Sequence, residues 1–220
     1  MKFIPIIFAL LLPLAAKQPN IILIYTDDHG WPDIGPAGIY KDLKTPHLDA
    51  LAASGVRATN GYSSAPQCVP SRAGLLIGKY QNRFGVESNK ESLDGFNKEH
   101  TIAERLKKVG YTTAQIGKWH LGTGPAIGQH GFDYFYNKNR NAPCHGNFNL
   151  KGERTETRII PHTLYHLDDC SRHAVAFIRK QKENPFFLYL AYRAPHVPLD
   201  APKHHLCLLY TSDAADDVRG

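Results

Sequence analysis

Four short stretches of this chain carry side chains that could act on an anion. Asp27-Asp28-His29-Gly30, Lys118-Trp119-His120-Leu121-Gly122 and Arg193-Ala194-Pro195-His196 are three of them. The fourth is "CVPSRAGLLIG", residues 68–78, where a thiol, a proline, a serine and an arginine crowd into five positions. Adjacent Asp27 and Asp28 offer oxygen ligands that suit a hard divalent cation such as Ca²⁺ or Mg²⁺. No Cys/His spacing suggests zinc. Lys118 supplies a point charge for an anion, and His120 and His196 can hydrogen-bond or transfer protons. Taken singly, each has an ordinary reading: Asp-Asp as a turn or helix cap, a histidine as a structural residue, a lysine as a solvated charge.

Cys68 stands at the mouth of a short helix, with Arg72 one turn in. Free backbone N–H groups and a guanidinium there favour negative charge, a setting expected to lower a thiol's pKa. Cys68 then reads as a nucleophile, or its precursor, facing an anion. A buried free thiol is the alternative.

The elements between these clusters say where they must lie. "NIILIYTDD" (20–28) is a β-rich apolar run, a buried strand. "TPHLDALAASG" (45–55) predicts a helix, with Thr45 as N-cap, Pro46 in the first turn and Gly55 at the end. "VRATNGYS" (56–63) predicts a second extended segment, and "PSRAGLLIG" (70–78) a short helix closed by Gly78. "TIAERLKKVG" (101–110) is a helix whose Thr101 and Glu104 form a capping box. "YTTAQIG" (111–117) follows as a strand. "SRHAVAFIRKQKEN" (171–184) is helical and "PFFLYLAY" (185–192) a buried strand. Residues 137–161 are polar and turn-rich, a surface loop or hairpin.

Helices alternating with apolar strands predict an α/β fold with a mostly parallel central sheet flanked by helices. In such sheets ligands bind outside the carboxyl ends of the strands. Asp27-Asp28, Lys118/His120 and His196 each follow a strand, so they should converge on one edge.

Composition sets bounds on partners. The 220 residues are 42% hydrophobic and 21% charged, as in a globular protein. Lys and Arg exceed Asp and Glu by 26 − 20 = 6, a mild excess that suits an anionic substrate. It is too diffuse for nucleic acid, and no basic run or RNA-binding motif appears.

Met1-Lys2 followed by "FIPIIFALLLPLAA" reads as a secretory signal peptide over residues 1–16, implying a secreted or periplasmic protein. The run is short for a membrane span and contains Pro5 and Pro13, so no stable membrane anchor is expected. Four cysteines (Cys68, Cys144, Cys170, Cys207) do not make a disulfide scaffold, although Cys144 and Cys170 could pair. "CLLYTSDAADD" (207–217) does not continue the preceding text and resembles a translated sequencing adapter. On that reading the natural sequence stops near Leu206, residues 207–220 are a non-native tail, and Cys207, Asp213, Asp216 and Asp217 carry no function.

"CVPSRAGLLIG" resembles the sulfatase motif Cys-x-Pro-Ser-Arg-x-x-x-Leu-x-Gly, with Ile77 where threonine is common. "GYTTAQIGKWHLG" (110–122) resembles the second sulfatase motif. "NIILIYTDDHGW" looks like the family's N-terminal metal-binding strand, and "PFFLYLAYRAPHVPL" like its histidine-bearing strand. The match runs from about Asn20 to about Pro202. The resemblance implies an alkaline-phosphatase-like α/β fold, with residues 17–206 the N-terminal part of a catalytic domain truncated at its C-terminus.

The resemblance further implies hydrolysis of sulfate esters. In this family the motif cysteine is oxidised to Cα-formylglycine by a maturation enzyme, whose recognition core Cys68, Pro70 and Arg72 match. The working group is then the hydrated aldehyde. One of its oxygens attacks sulfur and expels the alcohol, and the second allows sulfate to be eliminated.

By the same resemblance, Asp27, Asp28 and the modified Cys68 bind Ca²⁺, with Mg²⁺ as an alternative. Arg72 holds the modified residue and metal site in place. Lys118 and His196 bind the sulfate, and His120 assists proton removal at release. Family members are longer and supply a further Asp/Asn metal pair and a further lysine, so this 220-residue chain is expected to be inactive alone.

A sulfated carbohydrate is the expected substrate, with an aryl sulfate as alternative. His130, Asp133, Arg140 and His145 are candidates to meet a sugar, or to serve loop packing. Two other functions remain open: a phosphonate or phosphate monoester hydrolase of the same superfold, and a non-catalytic secreted binding module.

Overall fold

The computed structural model describes residues 17–203; residues 1–16, expected to be a signal peptide, and 204–220, which include the expected non-native tail, lie outside the described residues. Six strands form one sheet: β1 (Ile21–Asp27), β2 (Thr112–Gly117), β3 (Tyr134–Asn137), β4 (Cys144–Phe148), β5 (Arg154–Ile160) and β6 (Phe186–Pro195), in the order β1-β6-β2-β3-β4-β5. The pairs β1/β6, β6/β2 and β2/β3 are parallel, whereas β3/β4 and β4/β5 are antiparallel. The sheet is therefore mixed. The parallel half carries the predicted strands, and the 137–161 stretch extends it as a hairpin.

Five helices accompany the sheet among the described residues: α1 (Pro46–Ser54), α2 (Cys68–Ile77), α3 (Asp94–Asn97), α4 (Ile102–Lys108) and α5 (His166–Gln181). Strand β6 explains the layering. Its Phe187, Tyr189 and Ala191 join one core with Val69, Ala73 and Leu76 of α2 and Ala103 of α4. Its Phe186, Leu188 and Leu190 join a second core with Ala174 and Phe177 of α5. Alternate residues of a pleated strand face opposite sides, so a continuous apolar run is what a strand covered on both faces requires.

The Thr101 capping box is formed: Thr101 Oγ1 accepts from Glu104 N at 3.1 Å, and Glu104 Oε2 accepts from Thr101 N at 2.8 Å. Thr45 precedes α1 as expected but does not cap it through its side chain. Its hydroxyl instead accepts from Gly35 N and donates to Asp49 Oδ1.

Two boundaries move. Helix α2 begins at Cys68, two residues earlier than expected, because Pro70 fits a first turn where its missing N–H costs nothing. Helix α5 begins at His166, ahead of 171.

One expectation fails. Residues 56–63 form no strand: Thr59-Asn60 make a turn and Val56 is fully exposed. β-branched residues favour a strand only where a neighbouring edge supplies a ladder, and none accompanies this segment. Helix α1 likewise has no buried residue. Cys144 and Cys170 do not pair; both are buried free thiols of the second core.

Candidate active site

Each cluster is aimed by a local irregularity. Between Tyr25 and Asp27 the partner on β6 moves from Ala191 to Pro195; such bulges re-aim side chains. Asp28 and His120 adopt left-handed backbone conformations (φ 62° and 60°), uncommon for residues with a Cβ and a recurrent mark of functional loops. Gly117, immediately before Lys118, has φ +97°, and a Cβ there would lie 2.1 Å from Ala191 O. Only glycine lets β2 close on β6 and turn Lys118 inward.

The centre is a buried ion cluster. Arg72, Lys118 and Asp27 are 0%, 2% and 4% exposed. Arg72 Nη2 donates to Asp27 Oδ1 at 3.1 Å, and its Nη1 donates to Lys118 O at 2.9 Å and to Tyr189 Oη at 3.1 Å. Its guanidinium also lies 5.2 Å from the Tyr25 ring centroid. Lys118 Nζ donates to Asp27 Oδ2. Cys68 Sγ sits 3.3 Å from Asp27 Oδ1 and 3.4 Å from Lys118 Nζ. Two cations against one carboxylate leave an excess of one positive charge beside the thiol. That excess favours an anionic ligand, since an unpaired buried charge is costly.

Burial pushes the Asp27 carboxyl up, but the Lys118 hydrogen bond and the charges of Arg72 and Lys118 outweigh it and hold it below the ordinary range. Burial also pushes the Cys68 thiol up; Lys118 pulls it down, the neighbouring Asp27 carboxylate pushes it further up, and the net is upward. This corrects the expectation of an acidified thiol. The Arg72 Nη groups donate to Asp27, Lys118 O and Tyr189, its buried Nε has no hydrogen-bond partner among the described residues, and the Val69 N–H of the helix mouth donates to Asn89 Oδ1. A protonated, half-buried thiol is a poor nucleophile, which fits a precursor better than a working group. For His120, burial first, then the charges of Lys118 and Arg72, lower the pKa from 6.5. The ring is therefore neutral and able to accept a proton near pH 7.

His196 reaches the cluster from the end of β6. Its Nδ1 lies 2.6 Å from Val197 O, which only accepts, and 3.2 Å from Arg193 Nη2, which only donates. Its Nε2 faces Asp28 Oδ2 at 3.8 Å. Arg193, at the head of the same cluster, donates to Val197 O and steadies this turn.

Asp27, Asp28 and Cys68 border one cavity of about 320 Å³ with Gln67 and Ser71. Ligand atoms of Asp27, Cys68 and His196 lie within 4.8 Å of one another. Carboxylate oxygens of Asp27 and Asp28 beside a ring nitrogen of His196 form a donor set that suits a cation. Both Asp27 oxygens already hold cationic side chains of the chain, leaving Asp28, 57% exposed at its side chain, as the uncommitted carboxylate.

The four sugar candidates divide. His130 is buried against Phe96 and Trp119. Asp133 binds Lys107 and Thr113 at the opposite edge of the sheet. Both are packing residues. Arg140 lies in the connection from β3 to β4, and His145 pairs with Asn137 at the carboxyl end of β3. Tyr189, sitting in an apolar run, gave no sequence signal of its contact with Arg72.

An α/β domain with a cationic pocket at the carboxyl ends of its parallel strands is built to hold a tetrahedral anion. Residues 19–215 match the family model described as Sulfatase. The chain is 36% identical to N-acetylgalactosamine-6-sulfatase of Rattus norvegicus, over 98% of this chain and 47% of that protein. It resembles the crystal structure of Ps i-CgsB in complex with k-i-k-neocarrahexaose at TM-score 0.77 and 33% identity, covering 88% of this chain and 49% of that one. It also resembles BT4656 in complex with D-glucosamine-2-N,6-O-disulfate at TM-score 0.68 and 29% identity, covering 82% and 35%. The chain belongs to the sulfatase family. Its fold is the alkaline-phosphatase-like α/β fold of these neighbours, and it spans about half the length of the curated relatives it matches. Membership in the family generally implies a formylglycine and a divalent metal.

Proposed function

We propose that the chain is the N-terminal part of an exported sulfuric ester hydrolase acting on sulfated carbohydrates. The observation that carries this reading is the contact set at position 68: Sγ within 3.4 Å of both Asp27 and Lys118. In that setting Cys68 is the precursor of formylglycine. Its hydrate supplies one oxygen to attack sulfur and a second to release sulfate.

Asp27, Asp28 and the oxygen at position 68 would hold the cation, Ca²⁺ by the preference of all-oxygen sites. A cation held there would supply Lewis-acid polarisation of a sulfate oxygen and would lower the cost of deprotonating the hydrate. Arg72 fixes the Asp27 carboxylate against rotation. The Lys118 ammonium, already within hydrogen-bonding reach of position 68, stabilises negative charge developing on the transferred group. His196 hydrogen-bonds the sulfate, and neutral His120 accepts the proton released in the second step. Because Asp27 is committed to Arg72 and Lys118, the 220 residues alone should bind the cation weakly and turn over little.

No helix among the described residues is long and apolar enough to cross a membrane; export rests on the 1–16 leader. The carbohydrate preference rests on the neighbours solved with sulfated or carrageenan-type sugars.

The test is the full-length gene product, matured in its native host, assayed in parallel on a chromogenic aryl sulfate, a sulfated sugar and matched phosphate esters. Sulfate turnover lost in Cys68→Ala is expected. Turnover of phosphate esters alone, or full activity in Cys68→Ala, would refute the proposal. Conversion of the thiol to the aldehyde lowers the mass of the Cys68 peptide by about 18 Da; an intact thiol from the native host favours a binding module instead.

A further inference from the structure

A second cavity, of about 460 Å³, opens between α5 and the β4–β5 hairpin. Its floor is polar and rigid. Tyr136, Asp169 and His173 are each more than nine-tenths buried. Tyr136 Oη donates to Asp169 Oδ2 at 2.6 Å, and the Tyr136 and His173 rings stack at 3.6 Å. Lys138 Nζ lies 3.6 Å from Asp169 Oδ2 and balances its charge.

The rim carries Arg158 from β5 and Arg172 from α5, both exposed. Leu150 adds an apolar wall. The described lining thus presents two exposed guanidiniums over a neutralised floor.

We propose that this cavity is an accessory subsite for an anionic sugar unit of a sulfated glycan, engaged while another unit occupies the catalytic pocket. The inference rests on the sulfated-carbohydrate reading above. A planar guanidinium suits the oxygens of a sulfate or carboxylate, and the Leu150 wall suits the C–H face of a pyranose. The cavity is larger than a lone tetrahedral anion needs and lies within the range of small-ligand sites.

Its place on the fold fits one extended ligand. The start of α5 is tied to the catalytic edge, where His166 N donates to Asn141 Oδ1 at 2.8 Å. Arg172 lies six residues further along, about 9 Å of helix. Because α5 covers the face of the sheet opposite α2, a ligand that bridges the two places must be several sugar units long.

The experiment titrates the 220-residue chain with a size-defined sulfated hexasaccharide, its desulfated counterpart, sodium sulfate and an oligoglutamate. The proteins are wild type, Arg158→Ala/Arg172→Ala and Lys118→Ala. The double variant should keep its melting temperature and bind the sulfated hexasaccharide about tenfold more weakly for each guanidinium removed, while binding sodium sulfate as wild type does. Should the double variant melt early, the single variants each give the tenfold step.

Hexasaccharide affinity in the double variant within twofold of wild type would overturn the subsite. If that affinity falls instead in Lys118→Ala, the catalytic reading stands without the subsite. Equal binding of desulfated hexasaccharide, or competition by oligoglutamate as strong as by glycan, would equally overturn it. Loss of sodium sulfate binding in the double variant but not in Lys118→Ala would count against the catalytic reading itself.

Discussion

Asp27→Asn isolates the central electrostatic claim. The substitution keeps shape but turns one of the two acceptor oxygens into a donor and removes the one negative charge between Arg72 and Lys118, which are 0% and 2% exposed. At the 3.1 Å separation of Arg72 Nη2 and Asp27 Oδ1, and an effective dielectric of about 20, the lost attraction is about 5 kcal/mol for that pair alone. Relaxation and the surviving hydrogen bonds reduce this, and breaking one partner of a buried pair costs about 3–5 kcal/mol. For a chain of this size each kcal/mol moves the melting temperature by about 2–4 °C, so a fall of about 6–20 °C is expected.

Thermal and urea melts of the metal-free chain measure it. Asp28→Asn, at the exposed neighbouring carboxylate, should cost under about 1 kcal/mol. Adding Lys118→Met to Asp27→Asn should restore part of the loss, because one uncompensated cation leaves with it. An Asp27→Asn effect no larger than that of Asp28→Asn, or no recovery in the double variant, would refute the buried-cluster account.

The pKa of His120 is depressed below 6.5 in the folded chain, so the unfolded chain binds its proton first as pH falls. Its contribution makes stability decline from about pH 6.5 downward, and His120→Gln should flatten that decline without removing it, since His130 and His166 are depressed too. Urea melts at several pH values between 5 and 8 check this; an unchanged slope would count against it. The depressed carboxyl of Asp27 stabilises above its unfolded value of 3.8 and loses that contribution as pH falls through the folded value. In Asp27→Asn the acid-unfolding midpoint should therefore depend less on this group. Gly117→Ala places a Cβ 2.1 Å from Ala191 O at φ +97° and should cost more than about 3 kcal/mol; calorimetry reads it, and a shift under 2 °C would contradict the packing argument.

The strands that carry the site were legible because their signal is local. "NIILIYTDD" and "PFFLYLAY" are apolar runs ending in polar residues, and the structure puts them side by side with Asp27 and His196 at one edge. The Thr101–Glu104 capping box was readable for the same reason. What escaped depends on distant partners. Segment 56–63 has β-branched residues but no edge to pair with. The Cys68 thiol rises instead of falling because Asp27, 41 positions away, contacts it while Arg72 turns elsewhere. Tyr189 looks like any core aromatic until Arg72 is seen beside it.

Arg72 ties together the ends of β1 and β2 and the interior of β6 with one guanidinium. The reactive corner and the sheet are thereby a single mechanical unit, with no soft joint at which one could loosen and leave the other standing. Amide exchange around residues 27, 72 and 118 should track the slowest, whole-molecule opening, while α1, which buries nothing, exchanges early. Substitutions in the outlying segments can therefore be absorbed locally, whereas substitutions at 27, 72 or 118 act on the whole fold.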